Sequence, residues 1–115
     1  MTRVRDPRHD DYVADVHDLV ATIPPGRVMT YGLVAEVLAD RAVAAGRAPR
    51  GGPRQVGRAM ATGGDVPWWR VVNASGQPPA HHAARALTHL RDEGAPLTAD
   101  GSRVRVRDAV WFPAD

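Results

Sequence analysis

Cysteine is absent from the 115-residue chain, and that one gap excludes disulfides, zinc–thiolate sites and any thiol nucleophile. Lysine is missing too, so all 15 basic residues are arginine. Aromatic residues are sparse, with one phenylalanine, two tyrosines and three tryptophans. No run approaches the roughly 18 apolar residues of a membrane helix. The opening "MTRVRDPRHDD" is too polar for a secretory signal. A cytoplasmic protein without membrane contact is expected. There is no phosphate-loop motif, which removes support for nucleotide hydrolysis.

What is present suits one folded domain over residues 1–115, with residues 1–10 expected to be mobile. A chain of this length buries roughly two-thirds of its unfolded surface, and the apolar content of 43% is ordinary for a globular protein. The net charge is only +2 but is unevenly spread. Residues 3–18 carry five aspartates and three arginines, whereas Arg41 to Arg58 hold five arginines and no acid. Such a basic segment points to a polyanion-facing side.

Val13, Val16, Val20 and Ile23 follow helical spacing after a cap at Asp10 or Asp11, and "PPG" at Pro24 to Gly26 ends that helix. Thr30 is a good N-cap for a second helix with Leu33, Val34, Val37 and Leu38 inward. The alanine-, glycine- and arginine-rich "RAVAAGRAPRGG" leads to a third helix opening at Pro53, with Val56, Ala59 and Met60 buried and Gly63–Gly64 as its stop. "WRVVN" predicts a strand, "ASGQ" a turn, and Ala80 to Glu93 a fourth helix with Ala83, Leu87 and Leu90 inward. The alternating "RVRV" near the end predicts another strand. The outline is mainly α with a small β wing, a winged helix-turn-helix-like DNA-binding domain.

Local chemistry leaves several roles open. Arg54 and Arg58, four apart, share one helix face that is either solvated or phosphate-binding, and the neighbouring glycines favour close backbone approach to phosphate. Tyr31 at a helix start fits a phosphate contact or core packing equally well. Among the five histidines, adjacent His81 and His82 diverge on a helix and lack a completing ligand, so no metal site is expected. Glu93 at a helix C-terminus opposes the dipole, which implies a partner such as Arg70 or a backbone amide. Trp68 and Trp69 cannot both fill the core comfortably. Strand alternation puts Trp69 inward with Val71 and leaves Trp68 at the strand entrance, able to stack on a base.

The segments "IPPGRVMTYGLVAEVLA", "PRQVGRAM" and "VPWWRVVNASG" resemble, in order and approximate spacing, the DNA-binding domain of O6-alkylguanine-DNA alkyltransferases. The resemblance spans roughly Tyr12 to Gly94. It places the family's alkyl-acceptor cysteine at Trp68, its activating histidine at Trp69 and the glutamate of the relay at Glu93. Tryptophan at the acceptor position is the mark of alkyltransferase-like proteins, which bind alkylated guanine without repairing it and pass it to nucleotide excision repair. Three departures stand out: Trp69 where those proteins keep histidine, the longer "RAVAAGRAPRGG" link, and no asparagine near Gly63.

By the same resemblance, Arg54 is the finger that fills the gap left by an extruded base, and Tyr31 helps rotate the lesion's phosphate. The implied DNA-binding set is Thr30, Tyr31, Arg54, Gly57 and Arg58. The implied lesion pocket is Pro67, Trp68, Trp69, Arg70, Val71, Asn73 and Ser75. No catalytic residue, cofactor or metal is implied. The expected partners are double-stranded DNA with O6-alkylguanine and nucleotide excision repair proteins, for a nucleoid-associated monomer. The alternative is a winged-helix transcription regulator of undamaged DNA. An alkyltransferase with another nucleophile is disfavoured, because neither serine nor lysine stands at the acceptor position.

Overall fold

The computed structural model describes the backbone of residues 7–114 and the side chains of residues 11–114. Helix α1 spans Pro7–Ala21, β1 Met29–Thr30, α2 Tyr31–Ala44 and α3 Pro53–Ala61. A 3-10 turn at Trp68–Arg70 leads into β2, Val71–Val72. A second 3-10 turn, Ala80–His82, precedes α4, Ala83–Asp92, and α5 is a single turn at Val106–Ala109. The fold is therefore mainly helical with a small β element, as the sequence implied.

Two apolar clusters organise these elements. The first joins α1, α2 and α3 through Val16, Leu19, Val20, Val34, Val56 and Ala59, all at most 2% exposed. The second gathers Leu90 of α4 with Ala95, Val104 and Ala109. Between them runs the parallel pair β1–β2, in register Met29 to Val71 and Thr30 to Val72. Successive strand side chains point to opposite faces. Met29 and Val71 accordingly enter the first cluster, while Val28 and Val72 enter the second. Two residues of ribbon thus couple the helical trio to the C-terminal half.

Local chemistry explains the helix ends. Thr30 Oγ1 accepts the Leu33 N–H at 3.0 Å, the capping bond expected of it. Pro53 opens α3 where its missing N–H costs nothing, and the Gly52 N–H donates to Gln55 Oε1 at 2.9 Å. Gly63 and Gly64 leave α3 with φ of 94° and 105°, backbone angles that suit residues without a Cβ. His17 of α1 donates through Nε2 to the Ala59 carbonyl at 2.9 Å, fixing α3 against α1. The arginine-rich link folds onto α1 as well. The Arg50 guanidinium lies 5.5 Å from the Tyr12 ring centroid, and Gly51 passes directly over that ring.

Four expectations are corrected. The first helix starts at Pro7 rather than after a cap at Asp10 or Asp11, since proline's fixed φ suits the first turn; the expected mobility of residues 1–6 lies outside the described residues. The segment "WRVVN" is only half strand. Trp68 to Arg70 turn instead, because the Arg70 N–H bonds the Pro67 carbonyl and the Val71 N–H bonds Trp68. The fourth helix is tighter over Ala80–His82, after Pro78–Pro79, and its buried residues are Ala86 and Leu90, with Ala83 and Leu87 half-buried. "RVRV" forms one antiparallel bridge, Leu97 to Val104, and then turns into α5. The turn expected at "ASGQ" is present: Asn73 Oδ1 accepts from the Ser75 and Gln77 N–H groups, both at 2.9 Å.

Candidate nucleic-acid interface

Helices α2 and α3 are consecutive, contact each other and α1, and leave the outer face of α3 to solvent. Arg54 and Arg58 are both exposed there, one turn apart. Gly57, between them, faces a cavity of about 440 Å³ that opens beside α3. Tyr31, the first residue of α2, lines the same cavity, as do Met60 and Gly63 from the end of α3. Trp68 forms part of its apolar surface. The far wall comes from the second half of the chain, through Pro79, His81, His82 and Arg85.

The two tryptophans have different jobs. The Trp68 ring stands edge-on to Trp69 at 5.7 Å and to His82 at 5.6 Å, with the Arg85 guanidinium 5.6 Å from its centroid. Trp69 does not line the cavity. It lies behind Trp68, stacked on His89 with centroids 4.0 Å apart and planes 13° from parallel. Its indole N–H donates to Glu93 Oε2 at 2.9 Å.

Glu93 is the hub behind the cavity. Its carboxylate accepts from Trp69, from the Arg70 guanidinium and, at 3.1 Å, from the Gly26 N–H. Arg70 also donates to the Ile23 carbonyl at 2.7 Å, so the network ties α4 to the turn after α1. Burial works against the charged carboxylate, but the bonds from Arg70, Gly26 and Trp69 outweigh it and hold Glu93 below the ordinary glutamate value. Both partners that its misplaced charge implied, Arg70 and a backbone amide, are present. Tyr31 is shifted the other way: burial raises its phenol, which keeps the hydroxyl protonated as a donor.

Of the residues singled out in the sequence, the cavity brings together Tyr31, Gly57 and Trp68. Arg54 and Arg58 are exposed on α3 and do not line it. The side-chain oxygen of Thr30 is committed to its helix cap. Pro67, Trp69, Arg70, Val71, Asn73 and Ser75 do not line it. Val71 is wholly buried in the first core, and Trp69 and Arg70 serve the Glu93 network. Sequence inspection missed Arg85 and the two histidines as cavity residues. The adjacent histidines after Pro78–Pro79 are a usable signal: read as surface residues without a metal, they stand on the cavity wall.

This arrangement matches known proteins. The family described as 6-O-methylguanine DNA methyltransferase, DNA binding domain, matches residues 11–95. Alkyltransferase-like protein 1 of Schizosaccharomyces pombe is 38% identical over 116 residues, covering 92% of this chain and 99% of that protein. The chain belongs to this family, in its alkyltransferase-like branch. A DNA base-flipping protein of Vibrio parahaemolyticus is 28% identical over 109 residues, 90% of this chain and 99% of its own length. Among solved structures, S. pombe Atl1 in complex with damaged DNA containing O6-carboxymethylguanine superimposes with a TM-score of 0.71 at 29% identity. That match covers 96% of this chain and all of the other. Trp68, which the motif resemblance sets at the acceptor position, borders the cavity beside α3.

Proposed function

We propose that this protein is a non-enzymatic DNA damage sensor that extrudes O6-alkylguanine from a duplex into the cavity beside α3 and leaves the alkyl group in place. The supporting observation is Trp68, an indole on the cavity surface at the position that the motif resemblance gives to the family's reactive thiol. An indole offers broad apolar contact to an alkyl group and no nucleophile. Behind it, the indole of Trp69 can donate but cannot accept a proton, so no histidine–glutamate relay operates through it.

Extruding a base costs a few kcal/mol, less where alkylation has already weakened pairing. Arg54, exposed on α3, fills the vacated stack, and the Tyr31 hydroxyl donates to the rotated phosphate. Arginine–phosphate contacts make binding salt-sensitive. The bound lesion is then handed to nucleotide excision repair, which predicts faster incision of a lesion duplex by the excision nuclease when the protein is added.

The deciding experiment is a titration of paired duplexes, identical except for one O6-methylguanine. Tighter binding to the modified duplex is expected. Equal affinity would point instead to a reader of undamaged sequence. Arg54→Ala should reduce the lesion preference roughly five- to hundred-fold, equivalent to about 1–3 kcal/mol of lost stacking. Arg50→Ala is the control, because Arg50 is held over Tyr12; equal effects from the two variants would overturn the finger assignment. Trp68→Cys alone should leave a labelled alkyl group on the DNA, since the new thiol would have no base beside it.

A further inference from the structure

The arginine-rich link between α2 and α3, residues 45–52, takes no part in the cavity, yet its path is held at both ends and in the middle. The Arg47 N–H donates to the Ala42 carbonyl at 2.8 Å, and the Gly52 N–H donates to Gln55 Oε1 at 2.9 Å. Between them Gly51, with φ of 84°, crosses the Tyr12 ring so closely that any side chain there would collide with it. Tyr12 is buried, and its hydroxyl has no hydrogen-bond partner among the described residues. The ring therefore supports the link by shape, not by a polar contact. What the link displays is positive charge. Between Arg41 and Arg58 stand five arginines and no acid, and Arg47 and Arg50 are both exposed. Asp11 and Asp15 of α1 share a cleft with them, which makes the side of the link away from α1 the basic one.

We propose that this link is a second DNA-contact surface, in which Arg47 and Arg50 hold backbone phosphates to one side of the lesion, whatever base the duplex carries. This rests on α3 facing the duplex. The link enters α3 at Pro53, which packs beside Gly32, next to Tyr31, so it continues the surface assigned to phosphate. Arg50 stands four residues before Arg54 and Arg47 seven. An extended chain then limits them to about 14 and 25 Å from Arg54, or about four and seven base pairs along the duplex. The guanidinium of Arg50 lies 5.5 Å from the Tyr12 ring centroid. That contact uses the charge and engages no N–H donor, so the donors can meet a phosphate while the ring keeps the link in place. Phosphate contacts set position and general affinity but carry no sequence information. The link accordingly holds the protein on undamaged and damaged duplex alike, and lesion preference is left to the cavity and Arg54.

The test titrates an unmodified duplex and its O6-methylguanine counterpart at several salt concentrations. The slope of log affinity against log salt should become shallower by about one unit in Arg47→Ala, one in Arg50→Ala and two in the double variant. Both duplexes should lose affinity equally, so that their ratio stays at the native value. Arg47→Lys and Arg50→Lys should keep the native slope, because an ammonium releases counterions as a guanidinium does. Arg107→Ala, exposed on α5 and outside the link, should keep it too. An unchanged slope in the double variant would overturn the proposal. So would a loss confined to the modified duplex, which would make the link part of lesion recognition, or an equal change in Arg107→Ala, which would reduce the effect to net charge. Equal affinity of the native chain for the two duplexes would refute damage sensing and leave the link standing, since its slope is read on either duplex.

Discussion

Glu93→Ala is expected to cost about 1–3 kcal/mol of folding free energy, the range for leaving partly buried hydrogen-bonding groups without their acceptor. The side chains of Arg70 and Glu93 are only 13% and 14% exposed. Truncation leaves the Arg70 guanidinium, the Trp69 indole N–H and the Gly26 N–H facing a void, each without its acceptor. It also unties α4 from the turn after α1, where Arg70 still holds the Ile23 carbonyl. Urea denaturation at neutral pH measures the loss, and a cost below about 1 kcal/mol, the level of a surface pair, would remove Glu93 from its place as hub.

Acid should act on the same network. The folded-state value of Glu93 lies below its ordinary 4.5, so its charged form stabilises the fold above that pH. This contribution falls away as the pH drops from 4.5 through the folded-state value. Glu93→Gln keeps the shape but abolishes the titration. The stability gap between the native chain and Glu93→Gln should therefore narrow on acidification; parallel stability curves would contradict the assignment.

Much of the helical frame was legible because its signals are local. Apolar spacing, the Thr30 cap, Pro53 at the head of α3 and the Gly63–Gly64 stop each act within a few residues. The Trp68–Arg70 turn was not legible. Its conformation is tied to partners distant in sequence, Glu93 for Trp69 and Ile23 for Arg70, so the strand expected there is a turn, although Trp69 packs inward and Trp68 reaches the cavity as expected. The "RVRV" segment misled similarly: Val104 is buried against Leu90, and the chain turns helical two residues later. At the site, motif spacing found Tyr31 and Trp68, which lie on the segments that resemble the family. Arg85 comes from a helical stretch without a motif signal, and the packing of α4 against the tryptophan turn brings it to the cavity beside His82.

Trp68→Ala is expected to remove about 1–3 kcal/mol of binding to an O6-alkylguanine duplex, roughly five- to hundred-fold in Kd, with a smaller effect on unmodified DNA. Two contributions act together. The indole supplies the apolar surface against which an alkyl group is desolvated, and its loss widens the cavity so that the extruded base is held less firmly. The ring also keeps Arg85 and His82 in place, so truncation loosens the opposite wall as well. Because Trp68 is half-buried, the fold will be weakened too, and affinity must be compared where native chain and variant are both fully folded. Trp68→Phe separates the two contributions: it keeps an aromatic face at the cavity and should recover much of the lesion preference. If Trp68→Ala lost stability but kept its full preference for alkylated DNA, the residue would be core filling. The lesion pocket would then have to lie elsewhere than beside α3.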